Sequence, residues 1–251
     1  MGEGTEYVFF VRGAAHAALC AQSVVSIKRL YRNHRITVYQ EFGSFYPVGE
    51  GVAHATTPAG LPLQLAKISA QCRHVMTALP GQQIIFLDTD TLVLRPLVTP
   101  DVTDLFVTWR RSVHKPGSEE ETEGVAATMP YNAGVWGVRA GVMASEILLW
   151  IRERVRLRQG SGEINAWFSD QTALAELCGA PPPEANGDAP LMVRAAIPWL
   201  YHAHGEPINI LKLSCSTWNY SPVAAGEDVS GKGILHFKGA HRALLEDYVN
   251  G

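Results

Sequence analysis

The chain has 251 residues, 47% of them hydrophobic and 18% charged, with a formal net charge of −3. That balance suits a soluble globular protein whose core can hold a central sheet with flanking helices, and it argues against a nucleic-acid surface as the main function. No run of about 18 apolar residues is present, so no membrane span is expected.

In chain order, "YVFFV" (residues 7–11) has strand composition, and "RGAAHAALCAQSVVSIKRLY" follows with apolar residues at helical spacing. "ITVYQ" (36–40) is β-branched and strand-like. Strand, helix, strand is the start of a parallel α/β unit. "QLAKISAQCRHVMTAL" reads as a helix stopped by Pro80-Gly81, and "IIFL" (84–87) as a central strand covered on both faces. Residues 112–130 carry an acidic run without apolar periodicity and read as a solvated loop. "AGVWGV" reads as a strand, "MASEILLWIRERVRLRQ" as a helix stopped by "GSG", and "INAWFSDQTALAELCG" as a turn and helix. Residues 180–190 form a loop by composition. "INILKLSCSTWNY" and "GILHF" read as late strands, and "HRALLEDYV" as a closing helix. The fold class expected is α/β, with one Rossmann-like domain over residues 1–251 and a mostly parallel central sheet flanked by helices.

Cys20, Cys72, Cys178 and Cys215 are dispersed and form no CxxC pair, as expected of reduced, mostly buried thiols. Glu3 and Glu6 stand where a signal peptide carries positive charge, and Glu6 where a myristoylation site needs Ser or Thr. A cytoplasmic location is expected.

The chemistry centres on "IIFLDTDTLVL" (84–94). If the strand continues, Asp88 and Asp90 point the same way and Thr89 faces away. Carboxylates that close repel, and a divalent cation removes the conflict. Ligands of open α/β sheets bind at the carboxyl ends of strands, where this pair sits. The bland reading is a turn in which both acids cap backbone amides. A dehalogenase-type phosphatase would use the first Asp as nucleophile in Asp-x-Asp-x-Thr/Val, but the fifth position here is Leu92. A nucleotidyltransferase would carry a Gly-rich loop after its first strand, and "FVRGAAHAAL" has one glycine.

Four segments resemble a single family in order and spacing. "IIFLDTDTLVL", "YNAGVWGV" (131–138), "FSDQTAL" (168–174) and "LHFKGAHR" (235–242) are similar to the motifs of glycosyltransferase family 8, which has the GT-A fold and contains glycogenins and bacterial lipopolysaccharide galactosyltransferases. The resemblance implies a nucleoside-diphosphate-sugar donor, a UDP-hexose, an acceptor the sequence does not name, and retention of configuration. It implies that Asp88, Asp90 and His236 hold a metal, with Thr89 between the acids. Two oxygen donors and an imidazole favour Mn²⁺ over Mg²⁺. Asn132, Ala133 and Gly134 would contact the donor sugar. Asp170 and Gln171 would lie beside the reacting carbon, as the catalytic pair. Gly239 and Arg242 would approach the diphosphate, with Lys238 adding charge. Lys67 matches the basic residue that many GT-A enzymes bring to the nucleotide-sugar. The turn "VRGAAH" (11–16) after the first strand, with Val11, Arg12, Gly13 and Ala14, would cradle the nucleoside. Arg242 stands where the family has Lys, and Ala243-Leu244 where Pro-Trp is common.

Each residue also has a local reading. Asn132 and Gly134 could form only a turn, Asp170 could cap a helix, His236 could be a satisfied core histidine, and Lys67 a solvated helix lysine. Asp170 could also be the base of an inverting reaction. A non-catalytic nucleotide-sugar binder would carry the same residues. His202 and His204, read at strand spacing, could bind zinc, but with no third ligand nearby in sequence a surface loop or an acceptor-side role fits them better.

Overall fold

The structure is a computed structural model and describes residues 4–31, 34–110, 130–161, 168–182 and 187–250. The stretch "IIFL" lies in β4 (Gln83–Leu87), every residue of which is buried. Parallel neighbours precede it: β1 (Thr5–Val11), β2 (Arg35–Glu41) and β3 (Ala53–Thr57). On its other side lies β7 (Tyr131–Arg139), which runs antiparallel. The sheet continues through β6 (Leu105–Trp109), β9 (Ile208–Ser214) and β8 (Leu191–Ala195), in the order β3-β2-β1-β4-β7-β6-β9-β8. Only β7 and β8 oppose the common direction. A separate antiparallel pair joins β5 (Thr91–Val93) to β10 (Ile234–His236).

Helices cover both faces, which is why the strands read as continuous apolar runs. Alternate residues face opposite ways. Tyr7, Phe9, Ile85 and Leu87 pack with Ala17, Cys20, Val24 and Ile27 of α1 (Ala14–Leu30). Val8, Ile84 and Phe86 pack with Ile68 and Val75 of α2 (Leu63–Thr77). Ile147 and Ile151 of α3 (Val142–Gly160) and Leu174 of α4 (Ser169–Cys178) complete that second layer. The remaining helices are short: α5 (Pro198–His204), α6 (Cys215–Trp218), a 3-10 helix over Gly239–Leu244, and α7 (Leu245–Asn250). The four cysteines are free, three of them buried. Among the described residues no helix is long and apolar enough to cross a membrane.

Several expectations need correction. Strands β3, β5, β6 and β8 were not anticipated, being short, polar or flanked by loops. The stretch 208–220 is a strand only to Ser214, because the Ser214 hydroxyl accepts from Ser216 N and starts helix α6. His202 and His204 lie on α5 rather than at strand spacing; Pro198 opens that helix. His204 Nε2 lies 2.9 Å from Glu146 Oε2. The predicted loop at 112–130 and the turn at 164–167 lie almost wholly outside the described residues, as does part of the loop at 180–190.

At the end of the sheet away from the strands' carboxyl termini, Glu6 is buried and fully engaged. Thr37 Oγ1 and Gln82 Nε2 donate to it at 2.6 and 2.7 Å, and His74 Nε2 lies 3.4 Å away. Burial opposes its ionisation, but bonds and charge from His74, Thr37 and Arg35 outweigh this and hold its pKa down to about 2, against an ordinary 4.5. A pKa lowered by folding stabilises the protein above the unfolded value and loses that contribution as pH falls through the folded one. The shift corresponds to roughly 3 kcal/mol, lost between about pH 5 and pH 2. Glu6→Gln is therefore expected to flatten the fall of the urea midpoint over that acid range; an equally steep fall in the variant would remove Glu6 as its source.

Candidate active site

The strand order reverses between β1 and β4, and the loops leaving these two strands open a cleft of about 340 Å³. β4 ends at Leu87, so Asp88, Thr89 and Asp90 form a turn rather than extended strand. This corrects the expectation that Asp88 and Asp90 converge by strand alternation. The turn is held from several sides. Asp88 N donates to Gly134 O at 2.9 Å, and Phe237 N to Asp90 O at 2.8 Å. Ser23 Oγ of α1 donates to Thr89 O at 2.8 Å. Thr89 does not face away: its hydroxyl lies 3.0 Å from His16 Nδ1, and both residues line the cleft.

The distant histidine arrives through sheet pairing. In the β5–β10 ladder His236 stands opposite Thr91, one residue beyond Asp90. His236 Nε2 lies 3.2 Å from Asp90 Oδ1 and 3.6 Å from Asp88 Oδ2. Asn219 fixes the ring. Its Nδ2 donates to Thr108 Oγ1 at 2.8 Å, so its Oδ1, 2.8 Å from His236 Nδ1, is the acceptor. Nδ1 then carries the hydrogen, and Nε2 is the ring nitrogen turned toward the two carboxylates, where it could ligate a cation held between them. One donor atom from each of Asp88, Asp90 and His236 lies within 4.8 Å of the others. Two carboxylate oxygens and one oriented imidazole fit a divalent cation.

Around this triad the charges interlock. Lys67 Nζ on α2 reaches Asp88 Oδ1 at 2.7 Å and Asp170 Oδ2 at 3.3 Å, so it is not a solvated helix lysine. Burial opposes its charge, but the two carboxylates outweigh this and raise its pKa above the ordinary lysine value. Arg242 Nε lies 2.7 Å from Asp90 Oδ2. Burial disfavours the Asp90 anion, yet His236 and Arg242 together hold its carboxyl well below the usual range. Asp170 is buried in the first turn of α4, and burial pushes its carboxyl up. Its Oδ1 accepts from Gln171 N at 2.8 Å, so both oxygens are engaged. Burial pushes the Lys238 ammonium down to about 8.

The segment "YNAG" enters through a bulge. Val107 pairs with Trp136 but Thr108 pairs with Asn132, so Ala133, Gly134 and Val135 loop out of register beside the cleft. Asn132 Oδ1 accepts from Gly134 N at 2.9 Å, the turn anticipated as its local reading, which leaves the Nδ2 donor for a ligand. Gly134 has a further reason beyond the one expected. A Cβ there would lie 2.2 Å from His236 Cε1 and 2.4 Å from Nδ1. The glycine makes room for the histidine ring.

Of the residues singled out from sequence, Arg12, Lys67, Asp88, Thr89, Asp90, Asn132, Ala133, Gly134, Asp170, Gln171, His236, Lys238, Gly239 and Arg242 line the cleft. Val11, Gly13 and Ala14 do not. Val11 is buried in the core, and Gly13, at φ 85°, turns the chain from β1 into an exposed Ala14. Arg12 is tied to Glu41 at 2.5 Å and Leu61 O at 2.8 Å. Sequence reasoning missed Phe10, His16, Gln64, Arg110 and Phe168. His16 fell inside the turn named as the nucleoside cradle; nothing local marks the others.

No protein-family model matches the chain, and no curated protein matches its sequence. Solved structures do match its shape. An active-site mutant of LgtC aligns with a TM-score of 0.56 at 13% identity, over 98% of this chain and 95% of that one. A glycosyltransferase involved in glycosylating the major capsid of PBCV-1 gives 0.55 at 11% identity, over 98% and 99%. The fold is the GT-A glycosyltransferase fold. The galactosyltransferase LgtC, in complex with donor and acceptor sugar analogs, aligns at 0.52 with 14% identity, over 94% of this chain and 87% of that one. The GT-A architecture accounts for the cleft at the exit of β4.

Proposed function

We propose that this protein is a metal-dependent glycosyltransferase, acting as one cytoplasmic domain, that moves a hexose from a UDP-sugar to an acceptor with retention of configuration. The observation that carries the reading is the meeting of Asp88, Asp90 and His236 at the strand-order reversal of a GT-A fold. Asp88, Asp90 and His236 would hold Mn²⁺ or Mg²⁺, which would supply Lewis-acid stabilisation of the leaving diphosphate. Lys238 and Arg242 add positive charge beside it, and the backbone at Gly239 allows close approach. Arg12, Phe10 and His16 border the nucleoside. Asn132 Nδ2, Ala133 and Gly134 bind the sugar, and Gln171 lies against the reacting carbon. Lys67 fixes Asp170 so that it orients the sugar. The contacts of Lys67 and Gln171 N with Asp170 support that positioning role, and retention rests on the resemblance to family 8.

A phosphatase is not favoured, because the solved structures that align with nearly the whole chain are glycosyltransferases. The test is a panel of UDP-, GDP- and dTDP-sugars with and without Mn²⁺, read by calorimetry and by sugar release or transfer. At least one donor is expected to bind and turn over only with metal. Absence of metal-dependent binding and turnover across the panel sinks the proposal.

A further inference from the structure

Arg110 is the cation of the cleft that the glycosyltransferase reading leaves unmatched. Among the described residues three carboxylates line the cleft, Asp88, Asp90 and Asp170, against the cations Arg12, Lys67, Arg110, Lys238 and Arg242. Arg12 is neutralised by Glu41. Lys67 bridges Asp88 and Asp170, and Arg242 pairs with Asp90. Adding a divalent cation on the triad, the Lys238 ammonium and both phosphate charges of a sugar diphosphate brings these groups to neutrality. Arg110 remains.

Its surroundings offer no anion among the described residues. Its guanidinium donates to Gln171 Oε1 and, at 3.2 Å, to Tyr131 O, and its Nε is buried without a partner. Its neighbour Cys215 stays a neutral thiol, since burial pushes that group up. Burial also opposes the charge on Arg110, yet an arginine does not deprotonate in proteins. A half-buried guanidinium that is hydrogen-bonded but faces no described carboxylate is stabilised when a ligand supplies the counter-charge. Its planar fork matches carboxylate and phosphate oxygens. Because it grips Gln171, the group it binds must lie at that end of the cleft.

We propose that Arg110 selects an anionic substrate, through a carboxylate or phosphate monoester on the transferred sugar or on the acceptor that lies against Gln171. The inference rests on the glycosyltransferase reading, and the experiment separates the two. Calorimetry with Mn²⁺ first measures UDP alone, then UDP-glucuronate against UDP-glucose. A second arm holds the protein saturated with Mn²⁺ and UDP and compares glucuronate and glucose 6-phosphate with glucose. The anionic member is expected to bind at least about tenfold tighter in one arm, which identifies donor or acceptor as its source. Arg110→Gln, checked for folding by circular dichroism, is expected to bring that preference below about twofold, and Arg110→Lys to leave an intermediate value. No preference in either arm, or a preference that survives Arg110→Gln, overturns the proposal. Equal loss of neutral and anionic ligands in the variant also overturns it, and makes Arg110 a residue that only positions Gln171. If UDP itself shows no metal-dependent binding, the glycosyltransferase reading fails instead.

Discussion

Asp90→Ala is expected to abolish metal-dependent donor binding and to cut turnover by at least about a hundredfold, since Lewis-acid stabilisation of a leaving diphosphate contributes several kcal/mol. The reason lies in how completely Asp90 is committed. It is buried at 3% exposure, and its carboxylate faces His236 on one oxygen and Arg242 on the other. Its carboxyl is held well below the usual range, so it is charged across neutral pH, as the proposed metal site requires. Removing it deletes one of three donors and leaves Arg242 repelling a cation. Mn²⁺ should raise the melting temperature of the wild type by mass action, with about 2.7 kcal/mol available at a hundredfold excess over the dissociation constant. The variant should show no such rise. A metal-induced shift equal to the wild type's would remove Asp90 from the metal site.

Gly134→Ala should do comparable damage from a residue with no ligand atom in its side chain. The added Cβ would lie 2.2 Å from His236 Cε1, so the ring must retreat by roughly 1.3–1.8 Å to reach ordinary contact. That retreat breaks the Nδ1 bond to Asn219 that orients Nε2. Disturbing a ligand's supporting bond typically costs ten- to a hundredfold in metal affinity, about 1–3 kcal/mol. The protein should still fold, because the obstructing atoms belong to a side chain. Gly137→Ala gives the contrast: its Cβ would lie 2.1 Å from Ile84 O, a backbone atom of the central strand, so stability should fall there instead. Titrating Mn²⁺ into both variants, with urea melts alongside, separates the effects. Wild-type metal affinity in Gly134→Ala would mean that the ring does not occupy this position.

These two residues show how much of the site was legible. Asp90 was readable because a buried apolar run ending in acids is unusual enough to require a counter-charge. Gly134 was flagged for close backbone approach to a ligand; that it also makes room for a histidine ring could not be read, since that histidine is about a hundred residues away in sequence. Lys67 was legible as a basic residue on a helix, but its pairing with Asp170 joins two helices through packing that no local pattern encodes. Arg110 gave no signal, because its importance is a charge balance taken over the whole cleft.

The sequence by itself determined the α/β class, the principal helices, the buried central strand and the short segments that bear the chemistry. These depend on local periodicity and on which residue types occur together. Tertiary structure decided the rest: that the acids stand on a turn, that the β5–β10 ladder delivers His236 to Asp90, that a bulge in β7 opens Gly134 to that ring, and that the Arg110 guanidinium meets no anion among the described residues. Each follows from contacts between distant segments, whose register is set by burial on both faces of the sheet, and spacing along the chain carries no record of them.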